Sequence, residues 1–222
     1  KDKAEVHITN SYFENCGHSS VRLTGENSSV DNCSFYLDME NMHPDTEVTD
    51  PEGAHVNRVI WTYTSHGPDA TSGGARGGPT IVDCDIVVDS AKGPNAENNG
   101  LGIIINPRLC GGITLKDTRI ENNEGPDPYH YETIDCPSED QEVRDNFDPA
   151  VTIDNVSITG TTEDGKSTIN IEDRDGSVIK NSCIEHPNDK AGIESAGEDL
   201  SPTHYIEDTN VNVGGESWIV DG

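Results

Sequence analysis

The chain is short of positive charge, of aromatic side chains and of long apolar runs. Lys and Arg together number 14 in 222 residues, against 42 Asp and Glu, for a formal charge of −28. Like charge repels nucleic acid and anionic membrane surfaces, so neither is expected as a partner. No segment approaches the roughly 20 apolar residues of a membrane-spanning helix, and no signal-peptide pattern is present, so membrane insertion is not expected. No stretch of two helical turns carries apolar residues at 3,4-spacing, which argues against an α-helical core. Several chemical motifs are also missing: a CxxC pair for zinc, HExxH, EF-hand spacing, and a phosphate loop. Gly73, Gly74, Gly77 and Gly78 lack the Lys-Ser/Thr that such a loop requires.

What the chain has is a repeat. An apolar residue, a spacer, Asn or Asp, a small residue, a spacer and another apolar residue recur seven times. The clearest copies are Ile8-Thr-Asn10-Ser-Tyr-Phe13, Val30-Asp-Asn32-Cys-Ser-Phe35, Ile81-Val-Asp83-Cys-Asp-Ile86 and Ile153-Asp-Asn155-Val-Ser-Ile158. Others centre on Asp117, Asn181 and Asp208, and successive Asn/Asp positions lie 22, 51, 34, 38, 26 and 27 residues apart. Such self-similarity signals stacked units, none of which can bury its own apolar face. Within a unit the alternation has period two, so Cys84, Ile86 and Val88 should point inward while Asp83, Asp85 and Asp89 face solvent. Stacking then produces inner columns: Ile8 through Ile206, Ser11 through Thr209, and Phe13 through Val211. The Asn/Asp should sit at a bend, where its short polar side chain tolerates the left-handed region. Second strands are expected at 20–23, 101–105, 168–171, 191–194 and 217–220.

The phrases Ile81-Val-Asp-Cys-Asp-Ile-Val-Val88 and Gly112-Ile-Thr-Leu-Lys-Asp-Thr-Arg-Ile-Glu-Asn-Asn123 resemble right-handed parallel β-helix repeat proteins of the pectate-lyase-like superfamily, in particular members from salt-loving archaea and their viruses. The expectation is an all-β, right-handed parallel β-helix of about seven coils, roughly 34 Å long at strand spacing. It forms a single domain over 1–222, with insertions at about 40–78 and 122–149. No capping element is apparent at either end, so the chain is expected to be a segment of a longer protein or a matured chain.

The acids are spread over outward positions of every coil rather than gathered in a tail. At molar salt the Debye length falls to about 3 Å, self-repulsion is small, and hydrated carboxylates keep the surface soluble. The charge therefore points to a halophile, and to loss of structure at low salt. Of six cysteines, Cys33 and Cys84 are expected as buried thiols in one inner column. Cys183 should face outward, Cys16 should sit in a turn, and a loop disulfide between Cys110 and Cys136 stands as an alternative.

Two places could carry chemistry. The insertions hold a large share of the aromatics, and Trp61, Tyr63, His66, Arg76, Tyr129, His130 and Tyr131 could line a glycan groove. The alternative is that Trp61, Tyr63, Tyr129 and Tyr131 pin their own loops onto the coil. The outward rows of the main strand bring Asp85, Arg119 and Glu121 together. The resemblance implies that such a face can hold an arginine base beside a calcium-bridged uronate, or paired carboxylates as in hydrolases. The competing reading is a cross-strand salt bridge. No metal site is assigned and no cofactor is expected. Calcium could be held by oxygen ligands at Asp164-Gly165 or Glu172-Asp-Arg-Asp-Gly176, which also read as simple acidic turns. Asn27-Ser-Ser29 and Asn155-Val-Ser157 match the glycosylation pattern, with Asn155 expected to be poorly accessible.

The leading expectation is a non-catalytic extracellular, cell-surface or virion protein, tail-fibre-like, presenting loops to a glycan or cell-surface polysaccharide. A polysaccharide lyase or glycosidase using Asp85, Arg119 and Glu121 is the main alternative. A structural spacer or assembly subunit, trimeric as in tailspikes, is the third.

Overall fold

The structure is a computed structural model that describes residues 5–16, 19–23, 27–41, 57–63, 78–90, 101–108, 112–123, 132–136, 150–160, 167–171, 174–186, 192–194, 203–213 and 216–220. Within these the chain is nearly all strand, with one 3-10 turn at Met39–Asn41.

Each coil contributes three strands in order. The first holds β1 (His7–Thr9), β2 (Tyr12–Glu14) and β3 (Ser19–Leu23); the second β4 (Ser29–Asp31), β5 (Ser34–Asp38) and β6 (Asn57–Tyr63). The third holds β7 (Thr80–Val82), β8 (Asp85–Ser90) and β9 (Leu101–Arg108); the fourth β10 (Thr114–Lys116), β11 (Arg119–Asn122) and β12 (Glu132–Asp135). The fifth holds β13 (Thr152–Asp154), β14 (Ser157–Thr159) and β15 (Ile169–Asn170); the sixth β16 (Val178–Lys180), β17 (Cys183–His186) and β18 (Ile193–Glu194). The seventh begins with β19 (Tyr205–Glu207) and β20 (Thr209–Val213), and β21 (Glu216–Val220) follows. First strands stack into one parallel sheet (A), second strands into another (B) and third strands into a third (C). This is a parallel β-helix solenoid of about seven rungs.

The expected columns are in register. Phe13, Phe35, Ile86, Ile120, Ile158, Ile184 and Val211 pair successively across sheet B. Ile8 through Ile206 do the same across sheet A. From Phe35 to Ile184 the sheet B column is almost wholly buried, and the Phe13 and Phe35 rings stack 4.9 Å apart.

The bend residues explain why Asn and Asp recur. Asn10, Asn32, Asp83, Asp117, Asn155, Asn181 and Asp208 all have φ between 44° and 56°, the left-handed region that short polar side chains tolerate best among non-glycine residues. Each of the first six donates its backbone N–H to the carbonyl of the residue preceding the next coil's bend, as in Asn10 to Asp31 and Asp83 to Lys116. That same carbonyl often accepts a second hydrogen bond from the small residue just after its own bend. Cys84 Sγ donates to Val82, Thr118 Oγ1 to Lys116, Ser182 Oγ to Lys180 and Thr209 Oγ1 to Glu207. The inner column is therefore chosen for a local donor as well as for small size. Val156 is the departure.

Three expectations need correcting. The segments read as insertions contain β6 and β12, which are regular members of sheet C. Residues 217–220 form no third strand: β21 turns back antiparallel on β20 and occupies the edge of sheet B, so that edge does carry a terminating element. Asn155 is exposed rather than inaccessible, with its amide donating to Asp117 Oδ1 at 2.7 Å. Cys33 and Cys84 are buried thiols as expected, and burial pushes Cys84 up to about 11. Cys136, expected in a loop, is buried at the end of β12, while Cys110 lies outside the described residues.

Candidate functional site

Sheet B presents its outward side chains in two straight rows, because parallel strands in register place every second residue on the same face. Tyr12, Ser34, Asp85, Arg119, Ser157, Cys183 and Asn210 form one. Glu14, Tyr36, Val87, Glu121 and Thr159 form the other.

Asp85, Arg119 and Glu121 do meet on this face. Arg119 donates from Nε to Asp85 Oδ1 at 2.7 Å and from Nη2 to Asp85 Oδ2 at 2.9 Å, a bidentate pair. Its Nη1 donates to Glu121 Oε2. Hydrogen bonding to Asp85 is the first cause that raises the guanidinium above its ordinary value, with Glu121 adding to it. An arginine acting as a base must lose its proton, and both partners oppose that loss. The cluster is about half exposed, so the pair contributes little to stability.

Further along the second, third and fourth coils, the Tyr36 hydroxyl donates to Asp89 Oδ2 at 2.7 Å, and Asn123 Nδ2 donates to Asp89 Oδ1 at 2.9 Å. The Asn123 and Tyr36 donors hold the Asp89 carboxyl below its ordinary value. The bond to Asp89 pushes Tyr36 up to about 12. Tyr12, 62% exposed, flanks the group at the first coil, and desolvation with the neighbouring Glu14 carboxylate raises its hydroxyl above the ordinary value. The outward row already contained Tyr36 in the sequence, and period two marked Asp89 as solvent-facing. Asn123 was missed, because nothing in the repeat distinguishes the residue after β11.

The loop candidates fare differently. Trp61 lies on β6 and is 7% exposed, with the Arg22 and Arg58 guanidinium carbons 4.3 and 4.5 Å from the ring centroid. That is a packing position, in line with the reading in which it pins the chain to the coil. Tyr63 ends β6. His66, Arg76, Tyr129, His130 and Tyr131 lie outside the described residues. The Trp61 row continues across sheet C through Asn106, Asp135 and Asn170. Arg58 Nε donates to Asn106 Oδ1 at 2.7 Å, and Asn106 Nδ2 donates to the Asp135 carbonyl at 2.8 Å. Arg58 and Asn106 are buried, so this is an internal polar network.

No group of three or more potential metal ligands occurs among the described residues. At the acidic turn expected to offer calcium ligands, Arg174 is buried and directs Nε to the Cys136 carbonyl, while Asp175 accepts from the Thr203 backbone N–H. Asp164 and Gly165 lie outside the described residues. No family model, curated protein or solved structure matches the chain.

Proposed function

We propose that the protein is a non-catalytic β-helix of a salt-rich extracellular, cell-surface or virion setting, and that it holds a glycan on the outer face of sheet B. The observation that carries this reading is the pair Tyr12 and Tyr36, diagonal neighbours on adjacent strands of sheet B, beside carboxylate and amide groups. Aromatic rings offer apolar faces to the C–H side of a sugar, and oxygen acceptors take its hydroxyl protons. The locked state of Arg119 favours binding over proton abstraction. The spread of acids over the coils supports a high-salt setting, with unfolding expected on dialysis into dilute buffer.

The test is equilibrium binding of neutral oligosaccharides, a glucan series and an N-acetylglucosamine series, at molar NaCl. Saturable binding without cleavage is expected, weakened at least tenfold in the Tyr12→Ala/Tyr36→Ala variant. Cleavage that disappears in Arg119→Ala would replace this reading with the lyase or glycosidase one. Absence of both binding and cleavage would favour the spacer.

A further inference from the structure

The donors and acceptors on the outer B face do not balance. Each of the three Arg119 nitrogens donates to a carboxylate, which uses three of its five N–H groups. The Tyr36 hydroxyl proton and one Asn123 amide proton are committed to Asp89, and Asn41 Nδ2 donates to Asp38 at 2.6 Å. Ser34 keeps an exposed hydroxyl. The carboxylates of this patch accept only, with about four lone-pair sites each, and the Tyr36 oxygen, its proton committed, can only accept as well. On the outer face of sheet B over the first four coils, the described side chains include Glu14, Asp38, Asp85, Asp89 and Glu121, with Arg119 as the one Lys or Arg among them. The face thus offers more spare acceptors than spare donors and net negative charge, beside two aromatic rings.

A uronate brings acceptors and negative charge, and matches neither property. A neutral sugar hydroxyl both donates and accepts, and is served in part. A protonated primary amine brings three donors, no acceptor and positive charge, and matches all of them, including the ring faces. Resting on the glycan-binding reading, we infer that this face selects sugars bearing a protonated amine and rejects uronates.

The experiment titrates the full chain at molar NaCl, where long-range attraction to a polyanion is screened. The probes are three oligosaccharides of equal length: glucosamine, N-acetylglucosamine and galacturonate. Glucosamine should bind best, by about tenfold or more over its acetylated form, as a charge-assisted hydrogen bond warrants. That preference should vanish once the pH rises above the amine's pKa, and galacturonate should not bind. Asp89→Asn should remove most of the preference, whereas Glu207→Gln on the exposed outer side of sheet A should leave it intact. Equal loss in both variants would show non-specific attraction and overturn the inference. Equal binding of the amine and its acetylated form would overturn it while leaving the glycan reading standing. Binding of none of the three would remove both.

Discussion

Two arginines on two sheets show what the same side chain does in different surroundings. Arg119 on sheet B is half exposed, clamped by two carboxylates in water. Arg58 on sheet C is 5% exposed, and its Nε donates to a neutral amide, Asn106, which donates in turn to the Asp135 carbonyl. Both rows arise from the same in-register stacking. Exposure decides the outcome: on sheet B the polar row is a surface that can meet a ligand, and on sheet C Arg58, Trp61 and Asn106 are buried.

The largest expected effect breaks or upholds that contrast directly. Asn106→Leu takes away the acceptor of the buried Arg58 Nε and a donor to Asp135, and should cost about 3 kcal/mol in chemical denaturation at high salt. Arg119→Ala should change stability by no more than about 1 kcal/mol. Equal losses would mean that the two rows do not differ as described.

A smaller effect concerns the corner between sheets A and B. Thr118→Val keeps the shape but deletes the hydroxyl that donates to Lys116 and accepts from Cys84 N, and should cost about 1–2 kcal/mol. Val156→Thr supplies the donor that coil lacks and should stabilise by up to about 1 kcal/mol. Opposite signs in paired melts are the check, and a neutral Thr118→Val would reduce the column to simple packing.

The smallest effect is a titration. Because Tyr36 is raised from 10.0 to about 12, folding favours its protonated form. Its contribution to stability is therefore complete below 10 and lost as pH climbs toward 12. Phenolate absorbance should show a late-ionising component that Tyr36→Phe removes, and Asp89→Asn should return Tyr36 toward the ordinary range.

Sheets A and B were legible in the sequence because their corner is a chemical requirement repeated seven times. A left-handed bend asks for Asn or Asp, the next position for a small donor, and the flanking positions for apolar side chains. Sheet C imposes no such requirement. Its strands shrink to two residues at Ile169–Asn170 and Ile193–Glu194, and Arg58 and Trp61 on β6 look like site residues rather than a buried strand. The hairpin to β21 did leave a signal, the Gly214-Gly215 pair between two alternating stretches, but the apolar alternation of Trp218–Val220 imitates a further coil. At the candidate site, the meeting of Asp85, Arg119 and Glu121 follows from register alone. The Asn123–Asp89–Tyr36 group depends on where a strand end bulges, which no period encodes.

The most direct test maps a ligand onto the two faces. Backbone amide shifts would be followed by NMR at molar NaCl while glucosamine oligosaccharide is added. The amides of Tyr12, Ser34, Tyr36, Asp85 and Arg119 should move together and saturate, while those of Trp61, Asn106 and Asn170 stay still. Shifts confined to the sheet C row, or spread evenly over all three sheets, would contradict the assignment of the outer B face as the binding surface.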